Sequence, residues 1–247
     1  MQGRFMNRPY CFMNLILLFP SDFIANTSRV LLTGRRQAHV LEVHRAAVED
    51  VLIVGMENGQ IGQGRVTRLT AKELEMEVAF FSDPVPKIPV ILCVALMRPL
   101  VLKRVLQTAT TMGVEAIHLF HSRRVEKSFW QSTALQPVEI REQLVLGLEQ
   151  ARDTVLPSVM FHKRFKPFVE DVLPLLLKKR QGLVADPSGG FSVVPAAVPK
   201  VLIIGPEGGF IPYELDRFSH AGCTLVGLGP RILRVETAVT SFLARLV

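Results

Sequence analysis

The chain reads as an α/β protein, a parallel sheet with helices on both faces, preceded by a smaller β-rich module. Three observations predict this. Beyond Pro89, short apolar runs without internal alternation ("VILCVALM", "KVLIIG") alternate with longer helical patterns. Strands of that kind are covered on both faces. Before that point the pattern is shorter and strand-like, and "LEMEVAF" alternates as a strand with one wet face does. Between the two regimes, "SDPVPKIP" (Ser82 to Pro89) places three prolines in eight residues and interrupts regular structure.

The elements follow in order. Residues 1–12 read as an extension ahead of a natural start at Met13. Arg4 and Arg8 precede an apolar run from Tyr10 to Phe19, the outline of a secretory signal, but Asn14 interrupts the run and no small-residue cleavage pattern follows. Residues 13–84 carry the strands "NLILLF", "DVLIVG", "QGRVTRL" and "ELEMEVAFF", with "ENGQIGQG" as a glycine-bearing turn, and are expected to form a small barrel. Residues 85–247 alternate strand and helix: "VILCVALM", "LVLKRVLQTATTMGV", "AIHLFHS", "EIREQLVLGLEQAR", "VEDVLPLLLKKR", "GLVAD", "KVLIIG", "YELDRFSHAG", "TLVGLG" and "ETAVTSFLARL". There is no internal repeat and no low-complexity tract.

Composition sets the bounds. A chain of 247 residues, 49% of them hydrophobic, buries a real core. Its 29 Lys and Arg against 22 Asp and Glu leave a formal charge of +7, which suits an anionic partner such as nucleic acid. Cys11, Cys93 and Cys223 are odd in number and far apart, so neither a disulfide framework nor a zinc site is expected, and a reducing cytoplasm is the natural setting. No stretch approaches the roughly 20 apolar residues of a membrane span. The six histidines are scattered and suggest no metal site.

The chemistry concentrates in two loops. In "LIIGPEGGFIPYEL" (Leu202 to Leu215) a strand runs into a glycine-bracketed carboxylate, Glu207, and then into a helix expected to start near Pro212. Glycines after a strand commonly cradle phosphate, yet the Gly-Lys-Ser/Thr of a P-loop and the G-x-G-x-x-G of a dinucleotide fold are both missing. A carboxylate inside the turn also argues against phosphate. The second loop, "GLGPRILRVETA", packs Arg231, Arg234, Glu236 and Thr237 into a non-periodic run before the final helix, a polar density that packing does not require. Both loops follow strands and are expected at the same carboxyl edge of the sheet, where ligands bind in such folds.

Together these motifs resemble the RsmE-type 16S rRNA uridine-N3 methyltransferases of the SPOUT superfamily. "HVLEVHR", "KRVLQTATTMGVEAIHLFHSRR" and "LEQAR" agree with that resemblance, which covers most of the chain. It implies a PUA-like N-terminal barrel, a C-terminal α/β domain with a deep trefoil knot, a homodimer and S-adenosylmethionine as methyl donor, with no metal. A nucleoside bearing a sulfonium tolerates the carboxylate that a phosphate would not. Carried over by position, Gly205, Pro206 and Gly209 of the first loop and Leu228, Gly229, Ile232, Leu233 and Thr237 of the second are expected around the donor. Ala185, Asp186 and Pro187, in "VADPSG", are expected on a third side. Arg234 is the expected stabiliser of the uracil anion, and Glu207 or Glu236 the proton acceptor. The RNA is expected to meet Arg45, Arg65 and Arg68 of the barrel and Lys103, Arg104, Arg123, Arg124 and Lys127 of the α/β domain.

Two departures stand out. The family helix carries E-Q-x-x-R before a proline, whereas "EQARDTVLP" places Arg152 one position early, about 100° around a helix, so that Asp153 stands at the arginine position. "MNLILLF" also lacks the usual arginine-rich opening unless "GRF" (Gly3 to Phe5) supplies it. Target choice therefore rests on fewer residues than the chemistry does. A methyltransferase for another RNA nucleotide, and a non-catalytic RNA-binding or ribosome-assembly protein of the same fold, are the alternatives.

Overall fold

The computed structural model describes residues 14–25, 27–190 and 198–246; the expected extension 1–12, the start at Met13, the "GRF" segment and Cys11 lie outside them. The chain divides into two compact units: residues up to Val85 together with Glu149–Val155, and Pro86–Leu148 together with Leu156–Val247.

The first unit is built on five strands, β1 (Ile16–Leu18), β2 (Arg29–Leu32), β3 (Val51–Met56), β4 (Ile61–Leu69) and β5 (Leu74–Ser82), with a short helix α1 (Gly34–His39). They form one curled sheet in the order β1-β3-β4-β5-β2, antiparallel except where β1 runs parallel to β3. β4 alternates, with Gly62, Gly64 and Val66 buried and Gln63 and Arg65 exposed; in β5, where one wet face was expected, Met76 and Val78 are buried and Glu77 and Ala79 exposed, but Glu75 is buried as well, paired with Arg29. Register shifts between Ile61 and Gly62 and between Val66 and Arg68 bend this strand. The core joins Leu18, Val30, Leu32, Leu52, Val54, Leu74 and Met76. Arg36 donates to both carboxylate oxygens of buried Asp22, at 2.6 and 2.7 Å, and also to the Leu17 carbonyl at 2.8 Å. That bidentate pair fixes α1 to the start of the sheet.

The departure at Asp153 has a structural cause. Arg152 adopts a left-handed φ of 56°, and Asp153, 5% exposed, accepts from the Thr154 and Val155 amides at 2.6 and 3.1 Å. Thr154 in turn donates from its hydroxyl to the Gly59 carbonyl at 2.5 Å and accepts from the Asn58 amide at 2.8 Å. The carboxylate at the family's arginine position is thus turned inward to hold its own turn.

The second unit contains β6 (Ile88–Ala95), α2 (Pro99–Thr111), β7 (Val114–Phe120), α3 (Pro137–Ala151, whose last residues belong to the first unit), β8 (Ser158–His162), the short α4 (Phe165–Pro167) and α5 (Leu173–Leu177). It continues through β9 (Gln181–Gly190), β10 (Lys200–Ile204), α6 (Pro212–His220), β11 (Cys223–Val226) and α7 (Val235–Leu246). Its six strands form one sheet in the order β11-β9-β10-β6-β7-β8, every pair parallel. All five residues of β10 are buried. Successive side chains point to opposite faces, so both faces are covered, and the unalternated pattern of "KVLII" follows from that.

His118 of β7 and His162 of β8 are paired, Nδ1 to Nε2, at 2.9 Å. Burial, and then its neighbour His162, lower the His118 pKa from 6.5 to about 4; burial lowers that of His162 as well. The folded state holds both rings neutral, whereas the unfolded chain takes up protons near pH 6.5. Stability from this pair is therefore full above pH 6.5 and lost as pH falls toward 4. The melting temperature is expected to drop by about 5 °C or more across that window. In His118→Gln the drop is expected to be smaller, as scanning calorimetry at stepped pH can show.

Candidate active site

Because the sheet is all parallel, the carboxyl ends of β9, β10 and β11 open on one edge, and these three strands are neighbours. The loops that leave them build a single cleft with about 660 Å³ of empty space, part of it open to solvent. Ala185, Asp186 and Pro187 come from β9, Gly205, Pro206, Glu207 and Gly209 from the loop after β10, and Leu228, Gly229, Ile232 and Leu233 from the loop after β11. Every expected donor-site residue except Thr237 therefore lines one cavity. Thr237 lies with Glu236 in a separate polar groove between α2 and α7, beside Arg104, Gln107 and Thr108.

Local chemistry explains how the loops reach this arrangement. Gly209 takes a φ of +70°, accessible to glycine at no steric cost, and its amide closes the turn by donating a hydrogen bond to the Pro206 carbonyl at 2.8 Å. Gly227 runs so close to β9 that a Cβ placed there would lie 2.6 Å from the Gly189 carbonyl oxygen. Its amide donates to the Gly190 carbonyl at 3.1 Å, which holds the second loop against the third wall.

Asp186 accepts from the amide and hydroxyl of Ser188 at 2.9 and 2.6 Å, and Glu207 accepts from the Arg98 amide at 3.4 Å. The cleft thus carries two carboxylates, Asp186 and Glu207, against one cation, Arg231, among backbone and apolar groups. Negative charge of that kind repels phosphate and attracts a cation.

The catalytic candidates separate in space. Glu207 is exposed and lines the cleft. Glu236, at the start of α7, faces Arg104 across the α2–α7 groove at 3.9 Å. Arg234 lies between Leu233 and Val235, which both line the cleft, with its own side chain exposed. Its carbonyl accepts from the Ala238 amide at 2.8 Å, so it stands at the positive end of α7.

The basic candidates separate as well. Arg65 is paired with Glu77 at 2.6 Å and Glu49 at 3.4 Å, and the Glu77 hydrogen bond leads in raising its pKa. Arg68 faces Glu73 at 3.2 Å, and Lys103 faces Glu139 at 2.8 Å, a contact that raises the lysine pKa. Arg45 is exposed with a left-handed φ of 48° at the end of its helix. Arg123, Arg124 and Lys127 are exposed together on the loop after β7. Arg124 donates to the Gly208 carbonyl, directly beside Glu207.

Glu214, the glutamate of "PYEL" at the end of the first loop motif, has no role predicted from sequence. The structure buries it to 2% exposure, where it accepts from the Arg123 amide at 2.8 Å, the Ser122 hydroxyl at 3.2 Å and the Ile211 amide at 3.0 Å. One carboxylate thereby ties the basic loop to the helix that follows "GPEGGF". Its signal was an acidic residue at the third position of a helix, two residues after Pro212. Glu214→Ala is expected to leave three donors unpaired, costing about 2–4 kcal/mol, which thermal melting checks against Glu214→Gln. Arg231, Phe210, Ala238 and Phe242 also line the cleft. Ala238 and Phe242 share a helix face by their four-residue spacing, a pattern that reads equally as core.

A parallel sheet with one cleft across three neighbouring strand ends places the second unit among α/β domains that hold a small ligand at the carboxyl edge. Residues 84–247 match the model of the RNA methyltransferase domain, and the chain belongs to that family. Relatives called ribosomal RNA small subunit methyltransferase E align over most of the chain. The protein from Treponema pallidum is 26% identical over 235 residues, 92% of this chain and 87% of its own length. That from Synechocystis is 29% identical over 240 residues, 94% of this chain and 76% of its own. The resemblance drawn from the two C-terminal motifs is borne out.

Solved structures share the fold. The Neisseria gonorrhoeae ribosomal RNA small subunit methyltransferase E bound to S-adenosyl methionine has a TM-score of 0.73 at 21% identity, covering 93% of this chain and 95% of that one. A Legionella pneumophila methyltransferase in complex with the same cofactor has a TM-score of 0.74 at 22% identity, covering 94% and 96%. Among the described residues, no helix is long and apolar enough to cross a membrane, and no cluster of His, Cys, Asp and Glu could hold a metal ion.

Proposed function

We propose that the chain is an S-adenosylmethionine-dependent methyltransferase acting on N3 of a uridine in the 16S rRNA of the small ribosomal subunit. The observation that carries this reading is the lining of the cleft: ten of the residues expected around the donor meet in one cavity at the strand ends. The donor set fits the ligand chemically. Leu228, Ile232, Leu233 and Phe242 offer apolar cover to an adenine, the loops offer backbone groups to its edge, and Asp186 and Glu207 offer negative charge to a cationic sulfonium. When bound, the donor supplies an electrophilic methyl carbon with a neutral thioether as leaving group.

The chain's own residues do the rest. Uracil N3 must lose its proton before it attacks, and Glu207, a carboxylate on the cleft wall, is placed to take it. Arg234 and the amino end of α7 supply positive charge for the carbonyl oxygens of the resulting anion. Glu236 has the weaker claim as base, since it faces Arg104 in the groove between the helices. On the same reading the domains are 13–84 and 85–247, the first a PUA-like RNA-binding module and the second a trefoil-knotted SPOUT domain. The enzyme is then a cytoplasmic homodimer, and Arg45, Arg65, Lys103, Arg123, Arg124 and Lys127 face rRNA.

Two measurements test this. Calorimetry with S-adenosylmethionine is expected to show binding, and no heat at any concentration would sink the enzyme reading. Mass mapping of 16S rRNA from a strain lacking the gene is expected to show one N3-methyluridine missing. An unchanged map would refute the target and leave the donor chemistry standing.

A further inference from the structure

We propose that RNA leaving the cleft continues along the carboxyl edge of the sheet onto a second contact site, a basic and aromatic step formed by Tyr213, Arg217, Phe165, Lys163 and Arg164. The inference rests on the rRNA reading above and gives a role to Tyr213, near the end of "LIIGPEGGFIPYEL", and to four residues outside both loops.

The step is joined to the cleft by an unbroken series of contacts. Gly208, next to Glu207, accepts from Arg124, and the neighbouring Arg123 amide donates to Glu214 at 2.8 Å. Glu214 follows Tyr213 in α6, and the Tyr213 ring lies 6.4 Å from the Phe165 ring, just after the end of β8. Because β8 stands three strand spacings from β10, the step lies about 15 Å out along the edge. A strand of several nucleotides can therefore occupy both.

Its chemistry suits single-stranded RNA. Tyr213 is 53% exposed, and the Arg217 guanidinium carbon lies 5.8 Å from its ring centre. Phe165 packs edge-on against the fully buried Phe218 at 5.4 Å, so the aromatic pair is braced from the core while part of the tyrosine remains open. Bases stack on such platforms regardless of sequence. Lys163, Arg164 and Lys166 are exposed beside it. Lys166 faces Glu170 at 3.9 Å, an exposed pair of small worth that leaves the lysine open to phosphate, and half-buried Arg217 faces Asp216 at 3.1 Å. Glu214 nearby is consumed internally, and exposed Asp171 follows Glu170, which leaves Lys163, Arg164, Lys166 and Arg217 against Glu170, Asp171 and Asp216. The surplus of cations beside an open ring favours a nucleic acid over an acidic or neutral protein surface.

The test is filter binding of the full chain to small ribosomal subunits from a strain lacking the gene, across a salt series. Lys163→Ala combined with Arg164→Ala is expected to weaken binding about tenfold and to lower the slope of log affinity against log salt by about 1–2. Tyr213→Ala is expected to weaken binding about tenfold with the slope unchanged, and Tyr213→Phe to bind as the unaltered chain does. S-adenosylmethionine affinity is expected to stay within about twofold in each, which separates lost contact from lost folding. Unchanged affinity and slope in both variants, with the unaltered chain binding normally, would overturn the second contact site and leave the enzyme reading intact. Failure of the unaltered chain to bind subunits at all would overturn both.

Discussion

Arg234→Ala is expected to lower kcat by about 10²–10³-fold while changing the S-adenosylmethionine dissociation constant by less than about threefold. The asymmetry follows from position. Leu233 and Val235 line the cleft and Arg234 stands between them with its side chain exposed, so truncation spares the cavity wall and removes the charge that would face the substrate. Removing an interaction made only in the transition state lowers kcat and kcat/KM together. Single-turnover methylation of subunits, read beside calorimetry of the donor, separates the two quantities. Undiminished turnover would assign the anion's stabilisation to another group, with Arg231 on the cleft wall the next candidate.

Glu207→Gln is expected to lower kcat by about 10²-fold or more, because the amide cannot accept the N3 proton. The amide keeps the carbonyl oxygen that accepts from the Arg98 amide at 3.4 Å, so the loop is expected to hold its shape. Glu236→Gln provides the contrast. Its carboxylate lies 3.9 Å from Arg104 and away from the cleft, so a change below about threefold is expected. If instead Glu236→Gln carries the larger loss, the assignment of the base reverses. Glu207 stands in a turn that sequence alone reads equally as architecture or as chemistry; the cavity wall makes the second reading testable.

Much of the fold was legible because it is written in periodicity. Unalternated runs such as "KVLII" announce strands buried on both faces, and alternation in "LEMEVAF" announces a strand with one wet face. The cleft was legible for a related reason. In a parallel sheet every strand end shares one edge, so the loops of Glu207 and Leu228 can be expected together from local pattern, while Asp186 was expected there only through the family resemblance.

The remainder depended on contacts between segments. Asp153 stands at the family's arginine position in sequence, and only the contacts of its buried carboxylate with the Thr154 and Val155 amides show what it does there. Glu214 read as part of a motif, yet its three donors come from two loops separated by 91 and 92 residues on one side and three on the other. Glu236 and Thr237 directly follow Val235, which lines the cleft, but helix rotation of about 100° per residue carries them into the groove against α2.

Sequence by itself determined the fold class and the strand ends that hold the cleft, since periodicity and turn chemistry are local properties of the chain, and the resemblance of its two C-terminal motifs supplied the family and the residues expected at the donor. Only the tertiary structure decided which carboxylate lines the cleft, which is locked in a turn and which ties two loops together. Those distinctions depend on the direction of a side chain and the identity of its distant neighbour, and neither is a property of any short segment.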